Sequence, residues 1–152
     1  MQNNTVGYLI RKAGKKDTRA VWAIRNNPLN RNNFNSLDEI PFDRHEKWFE
    51  KKYFGGQDNK CFILEIQGKV IGYCRFDSDD GGYTTSIAVD PEYIGKGFGG
   101  ILLGEALREL KADKDVFAEI RLNNLPSLSI FKKNSFVIYK TDNKNHYLIL
   151  KK

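Results

Sequence analysis

Hydrophobic residues recur along this chain in two patterns, as short β-like runs and as longer runs with helical spacing. The short runs predict seven strands, at residues 6–11, 61–66, 70–77, 83–89, 116–122, 136–141 and 147–150. Gln67-Gly68-Lys69 predicts a tight hairpin between the second and third strands. The strands before the glycine-rich stretch at 95–100 therefore resemble successive antiparallel hairpins.

Helical spacing predicts four helices. The first spans residues 17–26, the second follows residue 43, the third runs from the glycine-rich stretch to about residue 112, and the fourth spans residues 126–133. Asp17 is placed to cap the first helix, and Asp43 with Glu46 forms a capping-box pattern before the second. The asparagine-rich segment 28–41 predicts an ordered functional loop or a mobile lid. The element order β-α-α-β-β-β-α-β-α-β-β predicts an α+β domain with a mixed sheet.

Length and composition favour one compact unit. The chain has 152 residues, 40% of them hydrophobic, which fits a single domain over residues 6–152. No apolar run is long enough to span a bilayer, and the N-terminal residues do not resemble a signal peptide, so we expect a cytoplasmic protein without a membrane partner. Cys61 and Cys74 fall in predicted strands as small buried hydrophobes, and two histidines are too few to predict a metal site.

The net charge of +6 indicates an anionic ligand. The lysines are scattered along the sequence and form no basic stripe, which argues against a nucleic-acid partner. An anionic cofactor and an anionic acceptor account for the same excess of positive charge.

The most informative stretch contains four glycines and precedes a predicted helix: Gly95, Lys96, Gly97, Phe98, Gly99 and Gly100. Glycine lets the backbone approach a ligand closely, and the free N–H groups at a helix start favour a phosphate. A dinucleotide site would need an acidic residue after the next strand, where Asn123 and Asn124 stand instead. A P-loop would need Lys-Ser/Thr after the last glycine. The remaining interpretation of the three is a loop that binds the diphosphate of an acyl-CoA.

This loop resembles the acetyl-CoA motif Arg/Gln-x-x-Gly-x-Gly/Ala of the GNAT acetyltransferase family, with Gly97 and Gly99 at the glycine positions. Ile94 departs from the motif, because it stands where Arg or Gln is usual. The resemblance implies the GNAT fold, with a mostly antiparallel central sheet and helices on both faces, and acetyl-CoA as co-substrate. It also implies that further residues bind the cofactor: Ile87, Ala88 and Val89 on the preceding strand, and Asn123 and Asn124 after the next.

The segment from Ser127 to Phe136 resembles the closing family motif, but Phe131 occupies the place of the tyrosine that protonates the leaving thiolate. A thiolate leaves tolerably near neutral pH without an acid. Alternatively, Ser129 or Tyr139 supplies the hydroxyl. A third interpretation of the missing tyrosine is that the protein is a non-catalytic acyl-CoA sensor.

The acceptor side is expected in the N-terminal part. Arg25, Asn26 and Asn27, followed by His45 and Trp48, resemble GNAT enzymes that acetylate the 4-amino group of nucleotide-linked sugars, which implies a small, anionic amine acceptor. His45 is a candidate base because it titrates near neutrality, and Glu65, alone among apolar neighbours, is another. A protein amine, as in ribosomal N-terminal acetylation, is the alternative acceptor, and the chain is expected to be a monomer or a homodimer.

Overall fold

The computed structural model describes residues 7–33 and 38–152, so the predicted strand start at Val6 and part of the predicted loop 28–41 lie outside the described residues. The strands form a single seven-stranded sheet in the order β1-β2-β3-β4-β5-β7-β6. Their bounds are β1 Tyr8–Lys12, β2 Lys60–Ile66, β3 Lys69–Asp79, β4 Gly82–Val89, β5 Val116–Arg121, β6 Val137–Thr141 and β7 Asn145–Leu150. All seven predicted strands are confirmed to within a few residues.

Five α-helices connect the strands: α1 Thr18–Asn26, α2 Pro28–Arg31, α3 Phe42–Phe54, α4 Phe98–Leu110 and α5 Leu125–Lys133. The short helix α2, which begins with Pro28 at its first position, was not predicted. Helices α1 and α3 cover one face of the sheet and α4 and α5 the other, as expected for the predicted α+β fold.

One of the two predicted helix caps is confirmed in position but makes no side-chain capping bond, and the other is wrong. Asp17 precedes α1 but makes no capping bond, because its carboxylate accepts hydrogen bonds from the Arg11 guanidinium at 2.7 and 2.8 Å. Asp43 and Glu46 lie inside α3, which begins after Pro41 without a side-chain cap. A tertiary contact at Asp17 and a proline before α3 thus take the place of the local capping bonds.

The strand pairing is antiparallel everywhere except between β4 and β5. Strand β4 pairs with β3 along eight positions, but with β5 only at Tyr83↔Val116 and Thr84↔Phe117. The two parallel strands then separate, which leaves a gap in the middle of the sheet beside the carboxyl half of β4.

Among the described residues, two hydrophobic clusters pack the helices onto the sheet, one on each face. The larger lies under α4 and α5 and includes Leu102, Leu103 and Phe131. The smaller lies under α1 and α3 and joins Phe49 to Tyr73 and Ala88. Cys61 and Cys74 are both buried as free thiols, as predicted.

The described residues were compared with what a membrane-spanning helix and a metal site require. Within residues 7–33 and 38–152, no helix has the length and apolar character needed to cross a membrane. The same residues contain no group of three or more side chains that could hold a metal ion.

Gly82 controls where β4 and β5 begin to pair. It has φ +147°, and a Cβ there would lie 2.3 Å from the carbonyl oxygen of Asp115, immediately before β5. The adjacent Tyr83 N–H donates to that same carbonyl at 2.8 Å. Only glycine fits this close approach of the two strands.

We expect Gly82→Ala to lower the free energy of unfolding by about 2 kcal/mol or more, because it adds a clash to a strained backbone. Chemical denaturation followed by circular dichroism measures the change. Gly81→Ala is the matched control, because its nearest neighbour would be Asp79 Oδ1 at 3.5 Å, an ordinary contact. Equal stability of the two variants would contradict this account of the β4–β5 junction.

Candidate active site

The gap between β4 and β5 presents backbone hydrogen-bonding groups to a ligand. Asp90 N–H donates to Ile71 O on the β3 side, whereas Tyr83 N–H donates to Asp115 O on the β5 side. Because these directions alternate along an antiparallel strand, the N–H and C=O groups of Ile87 and Val89 face the gap. Val89 O accepts a bond from Asn30 Nδ2 at 3.1 Å, which ties the end of β4 to the helix α2. The predicted positions Ile87, Ala88 and Val89 therefore border an open slot in the sheet.

The glycine-rich loop ends at the start of α4 with its N–H groups exposed. Gly95 and Gly97 have φ of +83° and +85°, and Gly97 is the N-cap residue of α4. Within the described residues, the N–H groups of residues 95–100 donate to no protein carbonyl, whereas the adjacent Ile94 N–H bonds Pro91 O and Ile101 N–H bonds Gly97 O. Six consecutive free donors at a helix N-terminus make an anion site.

Two lysines add positive charge beside these donors. The Lys96 and Lys69 ammonium groups lie 5.6 and 5.3 Å from the centroid of the Tyr93 ring. Lys69 is also 3.5 Å from Glu92. Both side chains are largely exposed, so they can move toward a phosphate without losing a buried contact.

The glycines of this loop have different tasks. A Cβ at Gly97 would meet nothing within 4 Å, whereas a Cβ at Gly99 would lie 2.7 Å from Ile130 Cδ1. Gly97 therefore keeps the approach to the N–H groups open, and Gly99 allows α4 to pack closely against α5. Phe98 packs edge-on against Tyr93 at 6.2 Å, which holds the loop onto the short turn before it.

The remaining predicted cofactor residues fall around the slot with mixed roles. Ile94 is exposed, and Asn123 is exposed at the end of β5. Asn124 caps α5 through a bond from Ser127 N–H to its Oδ1 at 3.3 Å. Phe131 is 2% exposed and packs edge-on against Phe136 at 4.9 Å. The phenylalanine at the expected tyrosine position is thus a core residue.

A separate cavity of about 350 Å³ lies between the sheet and helices α1 and α3. It opens on the face of the sheet that carries Ala88. Its lining residues Tyr73 and Arg75 belong to β3, which is separated from the slot by β4. Its lining is Val21, Arg25, Ile40, Arg44, His45, Trp48, Phe49, Cys61, Tyr73 and Arg75. Three of these residues are arginines, and none of the described residues that line it is acidic. The cavity therefore suits a ligand with an anionic group and an apolar or ring-shaped body.

His45 is a neutral hydrogen-bonding group in the wall of this cavity. It is 2% exposed, stacks on Phe49 at 5.4 Å, and its Nε2 is buried without a hydrogen-bond partner among the described residues. Burial, reinforced by the charges of Arg25 and Arg75, lowers its pKa from 6.5 to about 4. The imidazole is consequently uncharged at neutral pH and able to accept a hydrogen bond from a ligand.

Arg75 is held at the cavity rim by an acidic and aromatic network. Its Nη1 lies 2.7 Å from Asp77 Oδ2, and the Tyr53 hydroxyl donates to Asp77 Oδ1 at 2.7 Å. The guanidinium also lies over the Trp48 ring, 5.3 Å from its centroid. This network orients one cation and one exposed aromatic ring toward the same space.

The structure brings together some of the predicted acceptor residues and separates others. Arg25, His45 and Trp48 line the cavity. Asn26 instead holds the backbone of Ile40 through two bonds of 2.7 and 3.0 Å, and so positions one wall. Asn27 caps α2 by accepting a bond from Leu29 N–H.

The other predicted catalytic residues lie apart from this cavity. Glu65 is on β2 and forms an ion pair with Arg11 at 3.1 Å. Ser129 is exposed on α5, away from the cavity lining. Tyr139 lines a second cavity, over β5, β6 and β7, together with Phe117 and Glu119.

Three residues that line the two cavities, Tyr73, Arg75 and Glu119, were not predicted from the sequence. Arg75 is a charged residue between Cys74 and Phe76 in a strongly apolar strand, which is a usable signal for a buried functional cation. Tyr73 is 2% exposed, and burial raises its pKa to about 12, so it keeps its proton. Glu119 follows the ordinary alternation of an amphipathic strand, and nothing in the sequence distinguishes it from a solvent-facing residue.

We expect Gly97→Asp to abolish binding of coenzyme A and Gly97→Asn to weaken it far less. Both side chains tolerate a positive φ, but only the aspartate repels a diphosphate at the free N–H groups. Calorimetric titration with coenzyme A measures both affinities, and an aspartate variant that binds as tightly as the asparagine variant would contradict the placement of the site.

Because the pKa of His45 is lower in the folded than in the unfolded state, protonation favours unfolding. The contribution of His45 is fully present above pH 6.5 and falls as the pH drops toward 4, by about 3 kcal/mol in total. We expect His45→Gln to remove this part of the pH dependence of the free energy of unfolding between pH 6.5 and 4.5. His146→Gln, outside the cavity, is the control, and an unchanged slope in His45→Gln would refute the buried neutral state.

Comparison with known proteins agrees with the site geometry. Residues 8–136 match the family described as Acetyltransferase (GNAT) family. An N-alpha-acetyltransferase of Sulfurisphaera tokodaii is 28% identical over 111 residues, which cover 62% of each chain. A Bacillus subtilis protein, named provisionally as a ribosomal protein bS18-alanine N-acetyltransferase, is 35% identical over 75 residues, or 47% of this chain. This chain spans 62% and 49% of the length of these two relatives.

A solved structure of an N-acetyltransferase from Staphylococcus aureus Mu50 superposes with a TM-score of 0.79 at 26% identity, over 95% of this chain and 98% of the other. The family match covers most of the sequence, and the slot between β4 and β5 with its glycine-rich loop lies inside it. The chain therefore belongs to the Acetyltransferase (GNAT) family.

Proposed function

We propose that this protein transfers an acetyl group from acetyl-CoA to the primary amine of a small anionic acceptor, and that the preferred acceptor is the 4-amino group of a nucleotide-linked amino sugar. The observation that carries the acceptor class is the cavity of about 350 Å³ with Arg25, Arg44 and Arg75 in its wall. An anionic ligand gains charge-assisted hydrogen bonds from these groups. A cationic acceptor such as a polyamine would meet three like charges there.

The donor is acetyl-CoA, as in the family to which the chain belongs. The free N–H groups of residues 95–100 suit its diphosphate, with Lys96 as a mobile counter-charge. The outward-facing backbone of Ile87 and Val89 suits the amide groups of the pantetheine arm, which would lie in the slot like an additional strand. This arrangement directs the thioester toward the middle of β4, where the slot closes at Thr84.

The transfer needs a neutral amine in line with the thioester carbonyl. The amine nitrogen forms a bond to the carbonyl carbon, the carbon–sulfur bond then breaks, and the amine loses one proton while the thiolate leaves. The backbone N–H of Ile87, which is nearer than Val89 to the closed end of the slot, is suited to stabilise the developing oxyanion. Positioning of the two reactants supplies much of the rate.

Two proton acceptors flank the middle of β4. His45 lies in the arginine-lined cavity, and Glu119 lines the second cavity on the β5 side. The low pKa of His45, about 4, makes it a weak base, so its role is to accept a hydrogen bond that orients the acceptor. Glu119, on the β5 side of the slot, is the other candidate to take the amine proton, directly or through a water.

The leaving thiolate finds no hydroxyl at Phe131, which is buried in the core. Tyr73 lines the arginine-lined cavity, pairs with Ala88 across β3 and β4, and retains its proton because its pKa is raised to about 12. It joins Tyr139 as a hydroxyl that could protonate the sulfur. A thiolate also leaves at neutral pH unaided, so loss of either hydroxyl should reduce the rate without abolishing it.

A second candidate is acetylation of a protein N-terminus. The names of the two relatives favour it, since one is an N-alpha-acetyltransferase and the other is assigned to a ribosomal alanine. A peptide acceptor would place its terminal amine at the same point of β4. The arginine-lined cavity would then have to receive an acidic side chain or a backbone carbonyl of the peptide.

An acceptor panel tests the proposal. Thiol release from acetyl-CoA is measured with a UDP-4-amino sugar, with the same amino sugar without its nucleotide, and with a peptide that begins with alanine. We expect the UDP-4-amino sugar to have the highest kcat/KM. Turnover of the peptide alone would favour the second candidate, and binding of acetyl-CoA without thiol release for any amine would indicate a sensor.

In the same assay, Arg44→Ala should raise KM for the UDP-4-amino sugar about tenfold and change kcat little, because one charge-assisted bond is lost equally from ground and transition states. Lys47→Ala is the matched control, since it removes an exposed cation of α3 outside the cavity lining. An equal effect of both variants would show that general positive charge, and not this cavity, attracts the acceptor.

A further inference from the structure

On the sheet face that carries the acceptor cavity, no helix among residues 7–33 and 38–152 packs over β5, β6 and β7. Along β5, Val116, Ala118 and Ile120 are buried in the core under α4 and α5, so the alternate residues Phe117 and Glu119 point to the opposite face. On that face α1 packs over β3 and β4, and Phe49 of α3 joins the same cluster as Tyr73 and Ala88. The surface over β5, β6 and β7 instead contains a cavity of about 460 Å³.

Three aromatic rings form the floor of this second cavity, which we call the aromatic face: Phe117, Tyr139 and Tyr147. The centroid of the Tyr139 ring lies 6.0 Å from that of Phe117 and 6.5 Å from that of Tyr147. The Tyr147 hydroxyl donates to Asp142 at 2.7 Å, which fixes its orientation. Tyr139 is nonetheless 54% exposed. Rings of this size held open to solvent offer a stacking surface.

A β-bulge turns two side chains toward the aromatic face. The pairing of β6 with β7 shifts between Ile138 and Lys140, so Tyr139 is the extra residue and Lys140 stands opposite Tyr147. Both Tyr139 and Lys140 therefore line the same cavity, although neighbouring residues of a regular strand point to opposite faces. Bulges of this kind re-aim a side chain and are frequent beside active sites.

The aromatic face is continuous with the closed end of the slot. Thr84 and Phe117 are the last paired residues of β4 and β5, and both line this cavity. The register places Asp77 of β3 opposite Thr84, so the column Asp77–Thr84–Phe117 spans two strand spacings, or about 10 Å. One ligand can thus reach from Arg75, next to Asp77 on the rim of the arginine-lined cavity, to Phe117 while its middle lies over β4.

We propose that the aromatic face is the subsite for the sugar ring of the acceptor, which packs its carbon–hydrogen surface on Tyr139 and Phe117 while its anionic end binds the arginine-lined cavity. This inference rests on the proposed function and extends it with a second, unassigned part of the site. The amine of such a ring lies over β4, between the two cavities. Side chains of Thr84 and Asp79 at the cavity edge are suited to the ring hydroxyls.

A peptide would need a backbone edge beside the aromatic face. β5 pairs with β7 along all six of its residues on one side, and its other side borders the slot that the pantetheine arm would occupy. The surface offers aromatic faces and side-chain oxygens, which recognise a hydroxylated ring. A second copy of this chain is the other possible occupant of the aromatic face, and the test must distinguish it from the sugar ring.

The test compares Tyr139→Ala, Tyr139→Phe and the control Val137→Ala with the UDP-4-amino sugar. Val137 is 58% exposed on the same strand but lies outside the cavity lining. We expect Tyr139→Ala to raise KM about tenfold, since it removes the stacking ring, while Tyr139→Phe and Val137→Ala keep KM within about twofold of the wild type. The affinity for coenzyme A, measured by calorimetry, should be equal in all four proteins.

The possible outcomes separate this inference from the proposed function. Turnover of the sugar with the same KM in Tyr139→Ala and Val137→Ala would overturn the sugar subsite and leave the proposed function intact. A lower kcat in Tyr139→Phe with an unchanged KM would show that the hydroxyl protonates the thiolate and is compatible with a stacking role of the ring, which the KM of Tyr139→Ala decides. Absence of turnover of the sugar by the wild type, with turnover of the peptide, would refute both. A dimer in sedimentation velocity that Tyr139→Ala dissociates would make the aromatic face an interface between copies.

Discussion

The short parallel contact between β4 and β5 is the constraint on which the rest of the site depends. The two strands pair at only two positions and then separate, and this leaves unpaired backbone groups in the middle of an otherwise continuous sheet. Such groups are costly to leave unsatisfied when they are buried, so the open slot is a feature that a ligand completes. The helix α4 begins beside the slot and adds its own free N–H groups. In the proposed function, backbone geometry, more than any single side chain, therefore defines where the donor binds.

Electrostatics divides the site into two regions. The glycine-rich loop offers an anion backbone N–H groups and mobile lysines, which suit the diphosphate of the proposed donor. The acceptor cavity instead uses guanidinium groups held by partners such as Asp77. His45 remains neutral between these charges because burial and the nearby arginines disfavour its protonation. In the proposed function, these guanidinium groups would select the acceptor by the charge at one of its ends.

Much of the fold and of the donor site could be predicted from the sequence, because local patterns determine them. Alternating apolar runs located all seven strands, and the glycines at 95–100 located the loop before α4, whose role as an anion site stays a prediction. Asp17 makes no side-chain capping bond because the Arg11 guanidinium binds its carboxylate, a contact that the capping pattern does not contain. The predicted cap at Asp43 was wrong because α3 begins earlier, directly after Pro41.

The acceptor site was only partly predictable for a related reason. Arg25, His45 and Trp48 lie close together in a segment with a recognisable pattern, and the structure brings them to one cavity. Arg75 and Tyr73 reach that cavity from β3, far along the chain, and the turn of Tyr139 onto the aromatic face depends on a bulge. Strand register and bulges are set by pairing between strands, and a single sequence does not specify them.

The most direct test of this account follows the backbone amide signals of the ¹⁵N-labelled protein by NMR during titration with coenzyme A and, separately, with pantetheine, which has no diphosphate. The account predicts that coenzyme A shifts the amides of Gly95, Gly97, Gly99 and Gly100 strongly, and that pantetheine leaves them nearly unchanged while both ligands affect Ile87 and Val89. Saturating coenzyme A without a shift at the four glycines would contradict the claim that their free N–H groups bind the diphosphate.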